Sequence, residues 1–192
     1  MIYLLTGPVH SGKTTFLARI IRSLKERGVE VGGFLSVSIW NGDECTGYDL
    51  YDLSEEEAVP FIRATGERAW QKLGPYFFIP DGLEKAKNVL LRTRNADLLV
   101  VDEVGPLELS GEGLWPVLRD VISQCKTNCL IVVRDSILRD FVEMLNDSDA
   151  EVFHVQDSGI FARMIDEFTD QRRRPPLGDA RSGKQLRDGH TA

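Results

Sequence analysis

Gly7-Pro8-Val9-His10-Ser11-Gly12-Lys13-Thr14 follows the short apolar run Ile2-Tyr3-Leu4-Leu5-Thr6 and precedes a stretch with helical periodicity. The eight residues fit G-x-x-x-x-G-K-[ST], and strand before with helix after is the setting that this motif requires. Successive backbone N–H groups in such a loop converge on a phosphate at a helix N-terminus, where the helix dipole also favours an anion. The spacing assigns Gly7, Pro8, Val9, His10, Ser11 and Gly12 to the loop. Lys13 is expected to reach the β and γ phosphates, Thr14 to ligate Mg²⁺ and Thr15 to contact the α-phosphate.

Working outward, residues 14–27 carry Phe16, Leu17, Ile20, Ile21 and Leu24 at a 3.6-residue period, and Gly28 closes the predicted helix. Residues 31–38 and 45–53 are β-like around Trp40-Asn41-Gly42-Asp43, whose Asn-Gly pair signals a hairpin. Residues 59–73 are ambiguous, with Phe61, Ile62 and Trp70 in an expected helix. A short strand follows over 76–79, then a helix capped by Asp81 and running to Arg94. Later strands are predicted over 97–102, 128–133 and 151–155, and helices over 113–124, 136–145 and 160–168. Strands alternating with helices imply an α/β fold, a mostly parallel sheet covered on both faces, here with an inserted β-hairpin.

The chain has 192 residues, 42% of them hydrophobic and 28% charged, which suits one globular domain over residues 1–170. No apolar run approaches the ~18 residues of a membrane span, and no basic, cleavable leader precedes the first strand, so a cytoplasmic protein is expected. Cys45, Cys125 and Cys129 form no CxxC pair and read as reduced thiols. The net charge of −7 is uneven: residues 171–192 hold six basic residues against two acidic ones, leaving −11 on the rest. An acidic body argues against duplex DNA as a partner. The basic segment, with Arg172-Arg173-Arg174, Pro175-Pro176 and few apolar residues, reads as a solvated, disordered tail that could touch RNA or an acidic protein.

A second motif strengthens the first. Leu98-Leu99-Val100-Val101-Asp102-Glu103 is an apolar strand ending in adjacent carboxylates, the form of a Walker B segment. Asp102 is expected to hold Mg²⁺ and Glu103 to polarise an attacking water at the C-terminal edge of the sheet. No Asn-Lys-x-Asp follows a later strand, so guanine selectivity is not indicated and base preference reads as loose. A nucleotide or metabolite kinase is the alternative enzyme class; a nucleotide-dependent binding module with little turnover is the non-enzymatic one.

Three segments carry a resemblance to a known family: 4–17 around the phosphate loop, Gly32-Gly33-Phe34, and Val101-Asp102-Glu103-Val104-Gly105-Pro106-Leu107-Glu108-Leu109. On these residues the chain resembles the THEP1-type nucleoside triphosphatases over about residues 1–155. The resemblance implies a three-layer P-loop NTPase fold with a RecA- or AAA-like sheet. In it, an extra strand separates the phosphate-loop strand from the Walker B strand. It also implies Mg²⁺-dependent hydrolysis of several nucleotides, ATP and GTP among them, to the diphosphate and phosphate. Two departures stand out: His10 replaces the family's usual glycine, and Ser36-Val37-Ser38-Ile39-Trp40 occupies the place of an arginine-bearing segment.

A transition state that spreads charge over the γ-phosphate oxygens benefits from a further cation. Arg134, just past the strand over 128–133, is the first candidate; Arg63, Arg68 and Arg139 are weaker ones. Trp40 and Tyr76 are either core residues or base-stacking ones, and Glu108 either orients the loop after Glu103 or faces water.

Overall fold

The computed structural model describes residues 1–9, 11–124, 127–145 and 150–173. His10, Cys125 and residues 174–192, which include most of the basic segment, lie outside the described residues.

Among the described residues, nine strands form one sheet. They are β1 (Ile2–Thr6), β2 (Val31–Asn41), β3 (Glu44–Asp52), β4 (Glu57–Arg63), β5 (Lys72–Leu73), β6 (Tyr76–Phe78), β7 (Leu98–Val104), β8 (Asn128–Val133) and β9 (Glu151–His154). Their order is β5-β6-β4-β3-β2-β7-β8-β1-β9. From β2 to β9 all neighbours are parallel; from β5 to β2 all are antiparallel. The expected hairpin is therefore the root of a larger antiparallel extension. β8 lies between β7 and β1, so an extra strand does separate the Walker B strand from the phosphate-loop strand.

The helices are α1 (Lys13–Glu26), α2 (Pro80–Arg92), α3 (Pro106–Leu109), α4 (Trp115–Gln124), α5 (Leu138–Leu145) and α6 (Ile160–Arg173). Alternation along the central strands sorts the core into two layers. Tyr3, Leu5, Val100, Leu130 and Val132 face α1 and α6, where Leu17, Ile20, Leu24, Met164 and Phe168 complete one cluster. Leu4, Val101, Ile131 and Val133 face the opposite way, against Leu83, Ala86 and Leu90 of α2, Leu118 of α4 and Phe141 of α5. The unbroken apolar runs are thus buried on both sides.

Gly33 shows why β2 can lie so close to β7. Its φ is +92°, and a Cβ built on it would stand 1.9 Å from the carbonyl oxygen of Val100.

Several expectations are corrected. The helix expected within 59–73 is absent: β4 holds Phe61 and Ile62, and Trp70 lies in a turn with its N–H on the carbonyl of Glu67. Pro60 pairs with Asp49 where the register shifts, and a missing N–H is tolerated at such an irregularity. Ile79, not Asp81, caps α2; Pro80 takes the first helical position and Asp81 sits in the first turn near the dipole's positive end. The stretch 104–112, expected as a loop, contains α3, and α4 begins at Trp115. α6 runs to Arg173, five residues beyond its expected end.

Candidate active site

β1 delivers the chain at the C-terminal edge of the parallel half, and α1 starts there. Gly12 makes the junction with φ +79°, a left-handed conformation that favours glycine. No side chain caps α1 and no acidic residue occupies its first turn, so its leading N–H groups remain available to an anion. The Ser11 N–H bonds back to Pro8 O at 3.1 Å. The Ser11 hydroxyl is buried and has no hydrogen-bond partner among the described residues. Lys13 is buried, and its Nζ donates to Gly7 O and Pro8 O, each at 3.0 Å. Its ammonium is thus folded into the concavity of its own loop, where a phosphate would compete for it. Pro8, Val9 and Thr15 are exposed around it.

The two carboxylates ending β7 differ sharply. Asp102 is almost fully buried. Burial pushes its carboxyl up to about 7; the Thr14 hydroxyl, the Ser36 N–H and Lys13 oppose that shift, while Glu103 adds to it. The Ser36 N–H donates to Asp102 Oδ2 at 3.3 Å, and the Ser36 hydroxyl donates to the Asp102 carbonyl. Glu103 is only partly buried and lies between two cations. Its Oε2 is 3.8 Å from Lys13 Nζ, and its Oε1 accepts from Arg134 Nε at 2.5 Å. Burial would lower Arg134, but Glu103 beside it outweighs that effect and holds the guanidinium above its ordinary value.

Of the four arginines considered, Arg134 alone among the described residues pairs with Glu103. Arg63 pairs with Asp49 at 2.7 Å on the antiparallel extension, and Arg68 and Arg139 are exposed. Tyr76 packs edge-on against Tyr48 on the antiparallel extension, ring centroids 5.7 Å apart. Trp40 is half exposed far along β2, with its indole N–H on the Ser38 hydroxyl at 2.8 Å.

Glu108 proves to be buried. Its Oε2 accepts from the Gly105 N–H at 2.9 Å and its Oε1 from the Leu114 N–H at 3.3 Å, tying both ends of the segment that leaves β7. Sequence reasoning missed two further contacts. Ser36 reaches Asp102 only because β2 and β7 are paired, 66 positions apart in the chain. Thr6 Oγ1 lies 2.6 Å from Asp135 Oδ1 and so ties the end of β1 to the residue after Arg134. Neither has a local signal, because each depends on strand order.

With this geometry in place, likeness to known proteins becomes informative. Residues 2–159 match the family described as NTPase. The chain belongs to this NTPase family. Among its relatives is the nucleoside-triphosphatase THEP1 of Methanopyrus kandleri, 32% identical over 134 residues, which are 68% of this chain and 72% of the relative. Its counterpart in Thermococcus kodakarensis is 29% identical over 138 residues, 70% and 77% of the two chains. Another NTPase structure, the crystal structure of THEP1 from Aquifex aeolicus, superposes with a TM-score of 0.69. That match covers 88% of this chain and 99% of the other at 18% identity, a likeness of fold. In this fold the loop after β1 and Asp102-Glu103 near the end of β7 stand on either side of β8, which separates their strands.

Proposed function

We propose that this chain hydrolyses nucleoside triphosphates, ATP and GTP among them, to the diphosphate and phosphate. The observation that carries the reading is Glu103, one residue beyond the buried Asp102, held between Lys13 and Arg134 beside the phosphate loop. The names of the relatives, nucleoside triphosphatases, support it.

The donor set fits Mg²⁺. A hard cation that keeps several waters needs few protein oxygens when phosphate supplies others. The Thr14 hydroxyl favours the charged form of Asp102, which is a buried carboxylate in want of a cation. No cluster of three His, Cys, Asp or Glu side chains suited to a metal exists among the described residues, so a metal here would rest on Thr14, Asp102, water and phosphate. When bound, it would neutralise the charge that develops on the phosphate oxygens.

The protein's own part runs as follows. A triphosphate entering the loop draws the Lys13 ammonium off Gly7 O and Pro8 O, and the Ser11 hydroxyl and the first N–H groups of α1 gain an acceptor. Lys13 and Arg134 turn to the γ-phosphate, which frees Glu103 to accept a proton from water. The water oxygen bonds to the γ-phosphorus as the bond from phosphorus to the bridging oxygen breaks, and the electron pair leaves with the diphosphate. Arg134 then serves the negative charge spread over the γ-phosphate oxygens.

The same reading takes residues 1–170 as the nucleotide-hydrolysing unit and the basic segment 171–192 as a solvated tail that could touch RNA or an acidic protein, on sequence charge alone. Cys45 and Cys129 are read as reduced thiols of a cytoplasmic protein. Among the described residues no helix is long and apolar enough to cross a membrane.

The test is phosphate release from ATP, GTP, CTP and UTP with Mg²⁺, for wild type and Glu103→Gln, with no added acceptor. Wild type should turn over several nucleotides, and the variant should bind them yet react about 10²- to 10⁴-fold more slowly. Binding without turnover in both proteins would overturn the hydrolase reading and favour an acceptor-dependent kinase or a binding module.

A further inference from the structure

The strand order fixes which way a bound nucleotide must point. Glu103, near the end of β7, and Arg134, just after β8, lie on one side of β1. A γ-phosphate facing them sends the nucleoside to the other side, toward β9. There the Val155 N–H donates to Thr6 O at 2.9 Å. The Val155 side chain lies so close to Gly7 that a Cβ on that glycine would meet it at 2.6 Å. The chain then enters α6, whose second residue, Phe161, packs edge-on against Phe16 with ring centroids 6.0 Å apart. Arg19 lays its guanidinium over the Phe161 ring, 5.2 Å from its centroid. Arg19 is exposed, and six residues of helix place it ~9 Å along α1 from Lys13.

We propose that Arg19 and Phe161 form the platform on which the nucleobase stacks. This rests on the hydrolase reading above, from which it takes the direction of the triphosphate. A guanidinium backed by an aromatic ring is flat, cationic and already oriented, so little freedom is lost when a base lies against it. Such a surface binds the face of a base and reads none of the hydrogen-bonding edges that distinguish adenine, guanine, cytosine and uracil. It therefore supplies affinity without base selectivity. Tyr76 and Trp40 do not compete for this role: both stand on the antiparallel extension, beyond Arg134 and away from β9.

The experiment compares Arg19→Ala and Phe161→Leu with wild type and with Arg22→Ala, an exposed change on the same helix. KM is measured for ATP, GTP, CTP and UTP, and Ki for inorganic tripolyphosphate, which has the phosphates without the base. The leucine keeps apolar packing and removes the flat ring, so the second variant folds where a smaller residue leaves a hole. Each platform variant should raise all four KM values by a similar factor, about tenfold, and shift the tripolyphosphate Ki by less than about twofold. Arg22→Ala should match wild type. Parallel weakening of tripolyphosphate would show Arg19 acting on the phosphates and would overturn the proposal, as would unchanged KM values. The same comparison made by calorimetry as NTP against tripolyphosphate binding tests the platform even if wild type releases no phosphate, which keeps the two failures distinguishable.

Discussion

Replacing Glu108 tests how the segment between the catalytic strand and α4 is held. Its carboxylate is 2% exposed and accepts the N–H groups of Gly105 and Leu114 at 2.9 and 3.3 Å. Glu108→Ala leaves both N–H groups buried without acceptors, at about 1–3 kcal/mol each. Relief from burying a charge offsets part of that: burial holds this carboxyl above the usual range, against the pull of the two N–H groups and of Arg134. The net expectation is a loss of about 3 kcal/mol, which for a chain of this size lowers Tm by about 6–12 °C. Glu108→Gln keeps one acceptor oxygen and sets an amide N–H against the other backbone N–H, so its loss should be about 1–2 kcal/mol. The raised pKa gives a sign. Wild type takes up a proton on folding, so the stability this group contributes is greatest below the unfolded carboxyl pKa and declines as pH rises through the folded value. The deficit of Glu108→Gln should therefore be larger near pH 4 than near pH 8. Thermal unfolding followed by circular dichroism at both values reads all of this, and phosphate release reports kcat, which should fall in the alanine variant as the Glu103 end of the segment loosens. A Tm for Glu108→Ala within about 2 °C of wild type would refute the reasoning, as would a glutamine variant less stable than the alanine one.

Two further predictions concern the frame around the site. Asp52 is fully buried, accepts from the Ser54 hydroxyl and from the N–H groups of Ser54 and Glu55, and pairs with Arg92 at 2.6 Å. Burial raises its carboxyl, but these partners outweigh burial and hold it below the ordinary value. Its stabilisation is then complete above about pH 4 and is lost as pH falls through the folded pKa. Asp52→Asn should cost about 1–2 kcal/mol at pH 7, discounted for the partly exposed Arg92, with the gap to wild type closing toward pH 3 in denaturant titrations. Gly33→Ala places a Cβ 1.9 Å from Val100 O at a φ of +92°; about 2–5 kcal/mol of strain and overpacking should lower its denaturant midpoint sharply or prevent recovery of folded protein.

The site was legible in the sequence where its chemistry is local. Gly7 to Thr14 reads as a phosphate cradle because consecutive N–H groups and one lysine at that spacing suit an anion, and the apolar run into Asp102-Glu103 marks a buried strand ending in acids at the sheet edge. The parallel half of the sheet followed from the same runs, since uninterrupted Val, Ile and Leu can be buried only with helices on both faces. The antiparallel extension was less legible. Phe61 and Ile62 are adjacent, so 59–63 shows neither strict alternation nor a helical period, and Pro60 disguised β4 until its pairing irregularity with β3 was visible.

What only the tertiary structure decided is which distant residues meet. Strand order set Glu103 of β7 beside Lys13 of α1 and Arg134 after β8, put the Ser36 N–H on Asp102, and joined Thr6 to Asp135. It also brought Phe161 of α6 under Arg19 of α1. A local motif specifies its own backbone, because its groups are joined by a few covalent bonds. A pairing between elements tens of positions apart or more exists only once the two faces of the sheet have been covered and the strands have found their order, so Ser36, Thr6 and Asp135 carry no mark of their contacts in their own neighbourhoods.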